Sequence, residues 1–113
     1  MGRRIKQGDI VLVDFCPALG HEQKGERPAL VISRSMFSEK TKQLIVCPIT
    51  TKRKTFPTRV SLSADTKTQG FVICDHIKTI DMEARNPVFL ERIDEATLDR
   101  ALEIVATFTV KEQ

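Results

Sequence analysis

The side chains able to carry chemistry gather in one stretch, Gly20-His21-Glu22-Gln23-Lys24-Gly25-Glu26-Arg27-Pro28. A carboxylate and an amide lie in a glycine-bounded loop just before an arginine, and Pro28 fixes that arginine at the entrance of an apolar strand. A guanidinium held there offers a planar fork of donors suited to phosphate oxygens, although the same fork also serves in structural ion pairs. A second cationic stretch follows at Thr51-Lys52-Arg53-Lys54-Thr55-Phe56-Pro57. It reads either as a track for a phosphate backbone with one stacking ring or as a solvated loop. The chain has no GxSxG, HExxH or Walker loop, and the spacing of its two histidines, His21 and His76, does not suggest a two-imidazole nuclease. Cys16, Cys47 and Cys74 form no CxxC pair, and each lies in an apolar run, so all three read as buried, reduced thiols. No metal and no cofactor is expected.

The elements that must position these groups are short and mostly extended. Ile10 to Phe15 is β-branched and too short for a helix, and Pro17 ends it. Ala29 to Ser33 forms a second strand after Pro28, and Ser35 to Lys42 reads as one or two helical turns begun by a serine cap. Leu44 to Thr50 is a third strand, and Thr58 to Leu62 alternates like a half-exposed one. Gly70 opens a longer strand to Ile80, with Asp75 and Lys78 as polar interruptions, and Val88 to Leu90 is a short piece. From Asp94 onward a capped helix places Leu98, Ala101, Leu102, Val105 and Phe108 on one stripe. Five to seven short strands parted by Gly and Pro turns, with one terminal helix, predict a mainly β chain curled into a small barrel.

With 113 residues the chain fits a single domain, 1–113, and 41% hydrophobic and 29% charged residues suit a packed core. The formal charge of +3 suits a polyanionic partner, and equally a domain that binds nothing acidic. No segment has the roughly 20 apolar residues of a membrane helix, and no signal-like apolar run follows the basic start, so a soluble, cytoplasmic protein is expected.

Taken in order, Gly8-Asp9-Ile10-Val11-Leu12-Val13-Asp14-Phe15, Pro17, Gly20-His21-Glu22-Gln23, Gly25 and Arg27-Pro28-Ala29-Leu30-Val31 resemble the N-terminal signature of the MazF/PemK/Kid toxins. The similarity resumes at Pro48-Ile49-Thr50-Thr51, at Gly70 to Asp81 and in the C-terminal helix, so it spans nearly the whole chain. The resemblance implies an SH3-like barrel of the CcdB/MazF type with a short internal helix and a C-terminal α-helix. It further implies a homodimer, an antitoxin partner of the MazE kind, and sequence-specific cleavage of single-stranded mRNA.

Carried over by position, Arg27 matches the family's catalytic arginine, Glu22 an acidic residue assigned as general base in some members, and Thr50 an active-site threonine. Gln23, Lys24, Thr51, Lys52, Arg53, Lys54, Phe56, His76 and Lys78 are the candidate RNA contacts. His76 departs from the family, where many relatives have glutamine; it either contacts RNA in that residue's stead or only packs. The economical nucleophile is the RNA's own 2′-hydroxyl, already tethered beside the phosphorus. Two other readings stand beside this one: a CcdB-like gyrase poison without nuclease activity, and a non-catalytic RNA-binding barrel.

Overall fold

A computed structural model describes residues 4–16, 25–53 and 56–113. The strands are β1 (Asp9–Asp14), β2 (Glu26–Val31), β3 (Gln43–Thr50), β4 (Arg59–Ser61), β5 (Phe71–Ile73), β6 (Lys78–Asp81) and β7 (Val88–Arg92). They form one antiparallel system in the order β4-β5-β3-β2-β1-β7, with β6 also paired to β3. Helix α1 (Ser35–Thr41) links β2 to β3, α2 (Met82–Arg85) follows β6, and α3 (Glu95–Thr107) ends the fold.

The apolar runs are nearly continuous because both faces of the central strands are covered. Side chains alternate across a strand. Ile10, Leu30, Cys47, Ile49 and Val72 therefore pack on one face, beneath Leu98 and Ala101 of α3. Val11, Val13, Ala29, Val31 and Val46 pack on the other, with Phe15, Leu44 and Ile80. Helix α3 starts as its sequence directs: the Asp94 carboxylate accepts the Thr97 amide at 3.0 Å and its hydroxyl at 2.8 Å. These bonds, with one from the Ser63 hydroxyl, hold the Asp94 carboxyl below the usual range against a smaller opposing effect of burial.

The sheet curls until its two ends are tied. The loop after β4 is clasped by Glu91 of β7, which accepts the Lys67 amide at 3.0 Å, the Thr68 amide at 2.6 Å and the Thr68 hydroxyl at 2.7 Å. Burial alone would raise the Glu91 pKa, but these donors and the Lys67 charge outweigh it and the net shift is downward.

Two prolines set where the ladders stop. The Phe15 amide bonds the Gly25 carbonyl, so odd-numbered residues of β2 address β1 and even-numbered ones address β3. Pro28 consequently turns a missing donor toward β3, and the β2–β3 ladder ends at Ala29↔Pro48. On β3 the Lys42 carbonyl bonds the Met82 amide, so even-numbered residues address the β5/β6 edge. Pro48 leaves that edge without a donor where pairing changes partner, β6 lying along Gln43 to Val46 and β5 along Ile49 and Thr50.

The strand expected from Gly70 to Ile80 is thus two strands, with Cys74 to Ile77 bent between them. Three further expectations are corrected. Helix α1 has Arg34 rather than a serine at its cap, and no side chain caps it. Phe108 ends α3 at 43% exposure instead of completing the buried stripe. Cys47 and Cys74 are buried, but Cys16 stands exposed past the end of β1.

Candidate active site

Strand pairing brings three of the proposed residues onto one face. Arg27 stands opposite Val13, and Lys78 opposite Val46, both valines of the second core cluster. Thr50 lies in phase with Val46 on the same strand, so its side chain faces the same way. Arg27 and Thr50 are each two residues beyond the last β2–β3 pair, where a continued register would set them opposite one another. Both Arg27 and Lys78 are half-buried. Alongside lies a cavity of about 350 Å³ lined by Phe15, Gln43, Lys78, Asp81 and Arg85.

Thr50 is only 2% exposed, and its Oγ1 accepts the Lys52 amide at 3.1 Å. With that lone pair taken, the hydroxyl proton is left to be donated elsewhere. The Thr50 backbone is held from behind by Gly70, whose φ is +125°. A Cβ on Gly70 would lie 2.3 Å from the Thr50 carbonyl oxygen, so the close approach of β5 requires glycine.

Past Thr50, the residues Thr51, Lys52 and Arg53 are exposed. Phe56 is 53% exposed, and the Arg59 guanidinium lies 5.4 Å from its ring centroid. The Arg59 Nη1 also donates to the Lys52 carbonyl at 3.5 Å, which ties the loop to β4. Sequence reasoning missed Arg59; the alternation from Thr58 to Leu62 carried the signal, since it set Arg59 on the half-exposed side. Glu22, Gln23, Lys24 and Lys54 lie outside the described residues.

His76 occupies the bend between β5 and β6. Its Nε2 is 3.8 Å from an Asp75 carboxylate oxygen, while Nδ1 is buried and, among the described residues, has no hydrogen-bond partner. A buried ring nitrogen without a partner is uncommon in native proteins. The buried thiols are inert by comparison. Burial pushes Cys47 to about 12 and Cys74 to about 11, with nearby negative charge adding to both shifts. Among the described residues no three His, Cys, Asp or Glu side chains gather as a metal site would require.

A curled antiparallel sheet that interrupts two of its own ladders with proline, and carries an arginine, a lysine and a threonine on the same face, defines a small β-barrel with a terminal helix. Residues 6–109 match the family described as "PemK-like, MazF-like toxin of type II toxin-antitoxin system", and the chain belongs to that family. It is 36% identical over 107 residues to the endoribonuclease PemK of Escherichia coli, covering 91% of this chain and 80% of that protein. It is 41% identical over 78 residues to the endoribonuclease toxin MazF of Escherichia coli K12, covering 69% of each. Among solved structures, MazF from Deinococcus radiodurans superposes with a TM-score of 0.86 at 31% identity, covering 92% of this chain and 94% of that one. The MazE-MazF complex of the same organism matches with a TM-score of 0.80 at 31% identity, over the same shares of both chains.

Proposed function

We propose that this chain is the toxin of a type II toxin-antitoxin pair and acts as an endoribonuclease on single-stranded mRNA in the cytoplasm. Its partners are a cognate antitoxin of the MazE kind and a second copy of itself. The observation that carries the reading is that Arg27 and Thr50 share one sheet face, each two residues past the last β2–β3 pair. The relatives it matches are named as endoribonucleases, and nothing in the fold favours gyrase binding or an inert barrel.

The side chains suit a reaction whose nucleophile comes with the substrate. The ribose 2′-oxygen attacks the adjacent phosphorus, the P–O5′ bond breaks, and the products are a 2′,3′-cyclic phosphate and a 5′-hydroxyl. Glu22 accepts the 2′-hydroxyl proton, and solvent supplies the proton that completes the 5′-hydroxyl. Arg27 bonds the non-bridging oxygens and grips harder as charge accumulates on the phosphorane. Thr50 donates its hydroxyl proton to the same group. In-line attack needs a sugar-phosphate link free to rotate, which a base-paired helix resists and a single strand allows. Lys52, Arg53 and Lys54 track the phosphates, Thr51 and Lys78 flank them, and Phe56 offers a ring face for a base. Gln23, Lys24 and His76 read base edges.

The test is to incubate the purified protein with single-stranded RNA in excess chelator and to analyse the end groups. Cutting that persists and leaves cyclic phosphate is expected, with no cutting of the matching DNA. Cleavage of that DNA, or 5′-phosphate ends, would overturn the mechanism. Arg27→Ala is expected to abolish cutting while the fold is retained; full-rate cutting by that variant would remove Arg27 from the mechanism.

A further inference from the structure

Among the described residues, the β2 backbone that carries Arg27 is ladder-paired on one side only. Beyond Ala29 the ladder to β3 has stopped, so residues 25–27 are held through β1: Arg27 opposite Val13, Glu26 opposite Asp14, and the Phe15 amide on the Gly25 carbonyl at 2.9 Å. The Gly25 amide adds a bond to the Cys16 sulfur at 3.2 Å. Among the described residues no strand pairs with the outer side of the end of β1, because pairing with β7 stops at Leu12↔Val88.

Since Phe15 addresses β2, the backbone groups of Asp14 and Cys16 address the outer edge of β1. The Cys16 amide there is taken by the carboxylate of Asp14 at 2.9 Å. Both carbonyls are taken by one side chain from about seventy residues further along the sequence. The Nη1 of Arg85 donates to the Asp14 carbonyl at 3.3 Å and, over a short contact, to the Cys16 carbonyl. Arg85 ends α2, which closes on the left-handed Asn86 two residues before β7 begins. The guanidinium therefore stands in for the strand that β7 has not yet become.

We infer that Arg85 is a positioning residue for cleavage: it fixes the outer edge of β1, and through the Phe15–Gly25 pairing it fixes the stretch of β2 that aims Arg27. The inference rests on the proposed ribonuclease reading and adds to it a residue that need not touch RNA. Both bonds come from Nη1, whose two hydrogens are fixed in the plane of the guanidinium, whereas a lysine ammonium rotates freely on a flexible stem. Displacement of a reacting group by an ångström can cost on the order of 100-fold in rate.

The test compares the intact chain with Arg85→Ala and Arg85→Lys in single-turnover cutting of a short RNA, well below the melting temperature of each protein. Binding is measured on the same RNA carrying a 2′-deoxy sugar at the cut site, across a salt series. Arg85→Ala is expected to lower the cutting rate by about 10- to 100-fold. Its affinity for the uncleavable RNA should stay within about twofold, with an unchanged salt slope, and amide exchange at Phe15 and Gly25 should accelerate. Arg85→Lys is expected to recover part of the rate and carries the test if the alanine variant does not fold. Wild-type cutting by the variants would overturn the positioning role alone. Weakened binding with the salt slope reduced by about one would overturn it too, assigning Arg85 to a phosphate contact. Failure of the intact chain to cut any RNA would instead overturn the functional reading.

Discussion

Replacing Gly70 with alanine tests whether the Thr50 backbone is set by the close approach of β5. The new Cβ would stand 2.3 Å from the Thr50 carbonyl oxygen and 2.9 Å from its carbon, about 1 Å inside ordinary contact, and φ at +125° suits glycine almost alone. Strain at such a φ costs about 1–3 kcal/mol. Forcing an extra carbon against packed backbone costs a further 1–3 kcal/mol or so. Reduced freedom of the unfolded chain returns about 0.4–1 kcal/mol. The expected net loss is about 3 kcal/mol, which at an unfolding entropy of about 2 cal/mol/K per residue lowers the melting temperature by roughly 12 °C. Gly25 is the internal control, because its φ is +82° yet none of the described residues lies within 4 Å of where its Cβ would stand. Gly25→Ala carries the dihedral cost without the collision and should lose about 1 kcal/mol. Both variants are to be compared by urea and thermal unfolding, with RNA cutting measured in parallel. Gly70→Ala should also cut more slowly, since the carbonyl that must yield belongs to Thr50. Equal shifts for the two variants, or a Gly70→Ala protein as stable as the parent, would refute the close-approach argument.

Four further outcomes are expected. The Glu91 carboxyl is held below its ordinary 4.5, so its contribution is complete above that value and fades as pH falls through the lowered folded value. Glu91→Gln should accordingly be less stable than the parent near pH 7, with the difference shrinking below about pH 4.5 in urea melts followed by circular dichroism. A thiol reagent at pH 8 should modify only Cys16 quickly, and all three cysteines once the chain is unfolded. Because burial lifts Cys47 to about 12, stability should decline as pH climbs from 9 toward that value. Pro28→Ala restores an amide aimed at β3 and extends the ladder toward Arg27 and Thr50. Its stability should change by less than about 1 kcal/mol, as a new hydrogen bond offsets lost rigidity. The new amide of residue 28 should be protected from exchange by the Ile49 carbonyl, and cutting should fall.

The β character, the two-faced core and helix α3 were legible in the sequence because each depends on local pattern. Ile10 to Phe15 and Leu44 to Thr50 are β-branched and short, and Asp94 with Leu98, Ala101, Leu102 and Val105 writes a capped amphipathic helix. The strand position of Arg27 was legible as well, since Pro28 beside an arginine at the start of an apolar run marks a strand entrance. What could not be read depends on partners distant in sequence. The bend between β5 and β6 arises because Pro48, on a different strand, withholds a donor from that edge; nothing within Gly70 to Ile80 announces it. Arg85 lies in a run, Glu83-Ala84-Arg85-Asn86, that reads as surface, and its importance exists only once α2 is folded beside the end of β1. The exposure of Cys16 was hidden for the same reason: its run is apolar, but β1 has already ended at Asp14.

The same two prolines explain why a site sits on this face at all. A closed ladder satisfies every backbone group and leaves a flat, finished surface, with no opening into which a phosphate could settle. Pro28 and Pro48 each remove one donor, and their phases send the two gaps to opposite edges of β3. One gap ends the β2–β3 ladder short of Arg27 and Thr50, and the other makes the bend that holds His76 and leads into Lys78. The candidate residues therefore cluster where backbone pairing has been interrupted on both sides of a single strand. That interruption has to be supported from outside, by Gly70 against the back of Thr50 and by Arg85 along the end of β1. A substitution in either support should consequently weaken cleavage more than its distance from the scissile bond would suggest.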